Sequence, residues 1–170
     1  IYFYAEIENE SILKLNKELM ELDSDQIANA MKNSDDKLRP IWLHINSTGG
    51  GVFDGLAAMD QVSLTRCPVF TVVDGICASA ATFISIKGKR RYIKENSFML
   101  IHQVSSGMWG KYEEFVDEME NLEKLMKLIQ EIYQKHTKIP KKLLDDILKR
   151  DVYFNAKECL KYGLVDEILK

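Results

Sequence analysis

Val69-Phe70-Thr71-Val72-Val73-Asp74-Gly75-Ile76-Cys77-Ala78-Ser79-Ala80-Ala81-Thr82-Phe83-Ile84 reads as a strand that turns into a helix. The β-branched run over 69–73 sets the strand, and the small, apolar residues after Gly75 carry the chain into the helix. Ser79 stands at that junction as a lone hydroxyl among residues too small to cover it, so it is expected to be presented rather than buried. The first-turn amides of a helix are unpaired and its dipole is positive there, which favours negative charge developing beside the serine. Two uses fit the stretch taken alone. One is a nucleophile, and the other is close packing of helix on sheet through small residues.

Further strand-like runs lie at residues 1–5, 41–45 and 98–101, with helical patterns between them. Strands alternating with helices indicate an α/β fold. Residues 11–32 carry a helical pattern, with Ser11 at the expected cap and a break expected at Asp23-Ser24-Asp25. Asn33-Ser34-Asp35-Asp36-Lys37 signals a loop, and Pro40 then opens the second strand, which ends in Asn46-Ser47-Thr48-Gly49-Gly50-Gly51. Residues 111–135 form the strongest helical pattern. Tyr112, Met119, Met126 and Tyr133 repeat every seven residues, as do Phe115, Leu122 and Ile129, and Val116, Leu125, Leu128 and Ile132 widen the stripe. Such a helix, about 37 Å long, exceeds a compact core of this size, so part of it is expected on another subunit; a core-facing helix is the alternative. Pro140 opens another helix, and Asn155 with Glu158 caps a last one that stops at Gly163.

The 170 residues suit one domain with a sizeable core, and 46% hydrophobic against 29% charged residues argues against a disordered or fibrous chain. A net charge of -3 with one short basic cluster, Lys87-Gly88-Lys89-Arg90-Arg91, argues against nucleic acid as the main partner. That cluster is expected to be a solvated turn. Cys67, Cys77 and Cys159 are an odd number without a CxxC pair, which points away from zinc and redox chemistry and towards a reducing compartment. The cytoplasm is the expected location, with an organellar lumen or a phage or viral source left open. Cys77 is read as a small buried hydrophobe. No apolar run reaches the 18 residues a membrane span needs, and the chain opens on a strand without Met, as a trimmed or mature form would.

A serine needs a base to take its proton and a third group to orient that base. The histidines are His44, inside a strand, His136, in a polar stretch after the long helix, and His102, closing the apolar strand over 98–101. A strand end is where α/β folds place functional groups, which sets His102 apart from the other two, while a satisfied structural role is the commoner use of a lone histidine and stays open here. For the acid, Asp151 ends a helix ahead of Val152-Tyr153-Phe154, which is expected to hold it near the core; Asp54, Asp60 and Asp74 are alternatives. The glycine turn offers backbone amides to an oxyanion, with the Ala80 amide as second donor. It lacks the spacing of a P-loop or a dinucleotide fold.

Five stretches together, Ile45-Asn46-Ser47-Thr48-Gly49-Gly50, Gly75-Ile76-Cys77-Ala78-Ser79-Ala80, Met99-Leu100-Ile101-His102-Gln103, Arg150-Asp151 and Tyr162-Gly163-Leu164-Val165-Asp166, resemble the ClpP family of Clp protease proteolytic subunits in order and spacing. The resemblance spans nearly the whole chain. It implies a single ClpP-like peptidase domain over 1–170 with the ClpP/crotonase fold of repeated β-β-α units and a handle helix over about 111–135. By it Ser79 is the nucleophile, His102 the general base and acid, and Asp151 the residue that orients it. The amides of Gly50 and Ala80 match the oxyanion hole. The activity implied is that of a serine endopeptidase, without metal or other cofactor, acting on unfolded polypeptides delivered by a hexameric ATPase. Heptameric rings stacked as a tetradecamer are implied as its assembly, with no nucleic acid or membrane as partner. Thr48 and Val104 stand where the family usually has proline, and Gly51 adds a third glycine. A non-catalytic ring subunit, a crotonase-type acyl-CoA enzyme and a Ser-Lys peptidase using Lys87 or Lys89 are the rival readings.

Overall fold

A computed structural model describes residues 1–33 and 37–170. In chain order the elements are β1 (Tyr2–Phe3), α1 (Asn9–Asn33), β2 (Ile41–Ser47), α2 (Val52–Leu64), β3 (Val69–Ala78), α3 (Ala81–Lys87), β4 (Arg90–Lys94), β5 (Phe98–Leu100), α4 (Tyr112–His136), α5 (Lys141–Leu148), β6 (Tyr153–Asn155), α6 (Ala156–Lys161) and β7 (Glu167–Leu169). The sheet runs β1-β2-β3-β4-β7 with every pair parallel, and β5 branches from β3 to pair antiparallel with β6. This is the mixed α/β architecture that the resemblance implies.

The long strand β3 explains the branching. Its first half pairs Phe70 to Val73 with Arg90 to Ile93 of β4, and its second half pairs Ile76 to Ala78 with Phe98 to Leu100 of β5. The change of partner falls at Asp74-Gly75, where Gly75 adopts φ +96. Opposite it, the β2–β3 register shifts between Ile45 and Ser47, and an added Cβ on Gly75 would lie 3.2 Å from the Asn46 side chain. A bulge bends a strand and re-aims the residues after it. Here the second half of β3 swings away and carries Ser79 to the end of β5. Each unit is thus a strand, a second short pairing stretch and a helix: β2 with the Gly50–Ile7 bridge and α2, the two halves of β3 with α3, and β4 with β5 and α4.

Helix α1 is continuous, contrary to the break expected at Asp23-Ser24-Asp25. Asp23 is buried with Ile12, Leu15 and Leu19, and its carboxylate accepts from the Cys67 amide at 2.7 Å and from Arg66 Nε at 3.2 Å. Burial works to raise its pKa, but those donors outweigh it and hold the carboxyl below its usual range. A helix-breaking signal is overridden by a tertiary contact. The cap also differs: the helix begins at Asn9, and Ser11 Oγ bonds back to the carbonyls of Glu6 and Glu8 from within the first turn. Of the loop read over Asn33 to Lys37, residues 34–36 lie outside the described residues.

The basic cluster is not one solvated turn. Only Gly88 and Lys89 lie outside regular structure, and Arg90 and Arg91 begin β4. Arg91 is largely covered and bonds Asp166 through Nε and Nη2, at 3.0 and 2.6 Å, and the carbonyls of His136 and Gly163 through Nη1. Helix α6 carries the expected capping box, with Glu158 N donating to Asn155 Oδ1 at 3.0 Å and Asn155 N to Glu158 Oε2 at 2.9 Å. It ends at Lys161, and Gly163, at φ +66, turns the chain two residues beyond. The core lies between the sheet and helices α1 to α3, and α4 adds the buried Ile129, Ile132 and Tyr133 from its last third, with the partly buried Met126 packed against the same core. Along the rest of α4, Tyr112, Phe115, Val116 and Met119 are exposed. All three cysteines are free and buried, Cys77 fully, as a small hydrophobe.

Candidate active site

Ser79 sits between the last residue of β3 and the first of α3, with φ +55, alone among the described non-glycine residues in having a positive φ. That conformation crowds a side chain bearing Cβ and persists only where surroundings over-determine it. Three bonds do so: the Ser79 amide donates to Leu100 O at 2.8 Å, and the Ser79 carbonyl accepts from Thr82 N at 3.0 Å and Thr82 Oγ1 at 2.6 Å. Ala78 and Ala80 on either side are buried while Ser79 is partly exposed, so the turn presents the hydroxyl as expected. A sharp strand-to-helix turn of this kind is how α/β hydrolases expose a nucleophile.

The glycine turn lies directly against it. An added Cβ on Gly49 would fall 2.7 Å from both Ala78 O and Ser79 Cβ, and one on Gly50 would fall 2.2 Å from Ile7 O. Ile7 holds the turn on its other side by donating to Gly49 O at 2.8 Å and accepting from Gly51 N at 2.7 Å. Gly50 and Ala80 donate no amide bond among the described residues, so both N–H groups remain available beside Ser79.

His102 follows β5 by one buried residue, Ile101. The antiparallel register Leu100 to Tyr153, extended by two, sets it opposite Asp151, and Gln103 N to Leu148 O at 2.7 Å pins the two segments together. His102 Nδ1 lies 3.3 Å from Asp151 Oδ1. The expected burial of Asp151 is overturned, because its side chain is 78% exposed. Val152 and Tyr153 are exposed as well, and only Phe154 turns inward, since the chain crosses the surface between α5 and β6. Strand pairing, not burial, brings the carboxylate to the imidazole. No hydrogen bond joins Ser79 Oγ to His102 among the described residues of this single chain.

The alternatives have other partners. Asp74 bonds Lys94 Nζ at 2.6 Å and the Tyr4 hydroxyl and lies 3.4 Å from His44 Nδ1; burial raises its pKa, but these neighbours outweigh it and hold the carboxyl low. Asp54 faces Gly51, and Asp60 is exposed on α2. His136 has its pKa lowered by burial and by Lys87, Lys135 and Arg91. Lys87 ends α3, about 10 Å of helix from Ser79, and the Lys89 amide bonds Val69 O at the opposite end of β3. Neither lysine is set to serve the serine. Sequence reasoning missed Thr82, which sits in an apolar run, and its buried partner Tyr133 at 2.6 Å.

Among the described residues no group of three His, Cys, Asp or Glu could hold a metal, and no helix is long and apolar enough to cross a membrane. The whole chain, residues 1–170, matches the profile of the Clp protease family. It is 34% identical over 159 residues to the ATP-dependent Clp protease proteolytic subunit 2 of Treponema denticola, covering 92% of this chain and 78% of the relative. Over 171 residues it is 34% identical to the ATP-dependent Clp protease proteolytic subunit of Ostreococcus tauri, covering 96% and 84%.

Proposed function

Because the chain belongs to the Clp protease family and is a peptidase of its proteolytic-subunit kind, we propose that it cleaves peptide bonds with Ser79, His102 and Asp151 as a catalytic triad. His102 takes the Ser79 hydroxyl proton as Oγ attacks the scissile carbonyl, and Asp151 holds the imidazole's Nδ1 side so that Nε2 faces the serine. The oxyanion of the tetrahedral intermediate is held by the Gly50 and Ala80 amides, each spared from internal bonding. His102 then protonates the leaving amine, and a water activated by the same imidazole releases the acyl group from Ser79. No metal or other cofactor takes part.

The observation that carries this reading is the paired placement on β5: the Ser79 amide bonds Leu100 O, and His102, two residues on, meets Asp151. Residues 1–170 act as one peptidase domain, with α4 as its handle. The exposed stripe Tyr112, Phe115, Val116 and Met119 supports assembly through that handle into heptameric rings stacked as a tetradecamer. Substrates are unfolded polypeptides delivered by a hexameric ATPase, and the three free thiols suit a cytoplasmic setting. Hydrolysis of a short fluorogenic peptide by the assembled chain tests the triad. Ser79→Ala and His102→Ala are expected to lose about 10³-fold or more in kcat, and Asp151→Asn about 10²-fold or more. Full activity in Ser79→Ala would overturn the reading.

A further inference from the structure

Tyr133 is 1% exposed near the C-terminal end of α4, and its hydroxyl lies 2.6 Å from Thr82 Oγ1. Thr82 is also fully buried, and its Oγ1 donates to the Ser79 carbonyl at 2.6 Å. A threonine hydroxyl has a single proton. With that proton committed to Ser79 O, Thr82 Oγ1 accepts in its second bond, so Tyr133 is the donor. Burial pushes the Tyr133 phenol far above its ordinary pKa, which keeps the donating proton in place. The relay therefore runs in one direction, from Tyr133 through Thr82 to Ser79, and a bond received at Oγ1 strengthens the bond its proton makes.

The end of this relay is the carbonyl of the one non-glycine residue with positive φ among those described. Fixing that carbonyl fixes the turn that aims the Ser79 hydroxyl. Resting on the reading of Ser79 as nucleophile, we propose that Tyr133 is a positioning residue for the peptidase reaction, acting through Thr82 to hold the left-handed Ser79 turn in register with α4. It touches no substrate. Among the described residues the relay is also the direct hydrogen-bonded link between α4 and the nucleophile turn. The helix that carries the exposed apolar stripe is thereby tied to the reacting hydroxyl.

The test compares Tyr133→Phe, Thr82→Val, Thr82→Ser and the Tyr133→Phe/Thr82→Val pair in the assembled full chain. The measurements are the rate constant for acylation by a fluorophosphonate, kcat and KM on a short peptide, and the melting temperature. Tyr133→Phe is expected to slow acylation and lower kcat about five- to tenfold with KM within about twofold, as loss of one buried bond felt at the reacting group would. Thr82→Val is expected to lose more, and Thr82→Ser, which keeps the hydroxyl, to restore most of the rate. The double variant is expected to be no slower than Thr82→Val alone, because both substitutions break one relay. A fall in melting temperature with acylation unchanged, or losses that multiply in the double variant, would overturn the proposal. If Tyr133→Phe does not assemble, the contrast between Thr82→Ser and Thr82→Val decides, and equal rates in those two would overturn it. Ser79→Ala is run alongside. Activity that survives there refutes the nucleophile itself, whereas its loss together with a full-rate Tyr133→Phe refutes only the relay.

Discussion

The Ser79 turn packs so closely on Gly49 that position 49 has no room for a side chain. Gly49 holds φ +98, and any Cβ there would strike Ala78 O and Ser79 Cβ at 2.7 Å. Gly49→Ala is expected to push the turn away from the serine and cut peptide hydrolysis by about 10²-fold, on the scale of a lost oxyanion donor. The check is kcat on a short peptide beside a circular dichroism spectrum showing that the fold persists. Residue by residue, the sequence discloses what depends on near neighbours. Small flanking residues announce Ser79, and the strand before it announces His102. Asp151 is singled out in the sequence for a burial it does not have, because Val152 and Tyr153 lie on the surface. Its place depends on a strand pairing between segments about 50 residues apart, which local composition does not report. The pairing of Thr82 with Tyr133, 51 residues apart, is invisible for the same reason.

Among the elements, helix α4 is legible to within one residue at each end, because its seven-residue repeat is long and regular. The repeat does not reveal that its two ends do different work. Ile129, Ile132 and Tyr133 are buried in the chain's own core, while Tyr112, Phe115, Val116 and Met119 face outward. Phe115→Glu with Met119→Glu is therefore expected to break the assembly and leave a folded protomer. Native mass measurement checks this, with a particle of full size in the double variant as the contrary result. The start of strand β4 reads as part of a turn because its arginines are charged. Yet Tyr92 and Ile93 are buried and the Arg91 head group is satisfied by four acceptor contacts, so charge in the sequence does not mean solvent in the fold.

Over the full chain, Arg91 ties β4 to the end of α4 and to the approach to β7, and so closes the far edge of the sheet. Its side chain is 13% exposed, and Arg91→Ala would strand the carbonyls of His136 and Gly163, with an expected loss of about 2 kcal/mol in chemical unfolding. The hydrogen bonds from Arg91 hold the Asp166 carboxyl below its usual range. A depressed carboxyl contributes stability that is full above its unfolded value, near pH 4, and that fades as pH falls through the folded value. Because the Asp166 side chain is 45% exposed, that contribution is about 1 kcal/mol or less. The melting temperatures of the native chain and Asp166→Asn are expected to differ at pH 7 and to converge below about pH 4. The parallel sheet and its helices are legible from alternating runs of apolar residues; the branch at Gly75 that carries Ser79 to the end of β5 is not, since a bulge leaves no period to read.

Whether Ser79 is a nucleophile activated by His102 is decided by reacting the assembled chain with a fluorophosphonate and mapping the adduct by peptide mass. One adduct is expected, on Ser79, lost in Ser79→Ala and His102→Ala and retained in Lys87→Ala. An adduct at another residue, or labelling that survives His102→Ala and disappears in Lys87→Ala, would contradict that assignment.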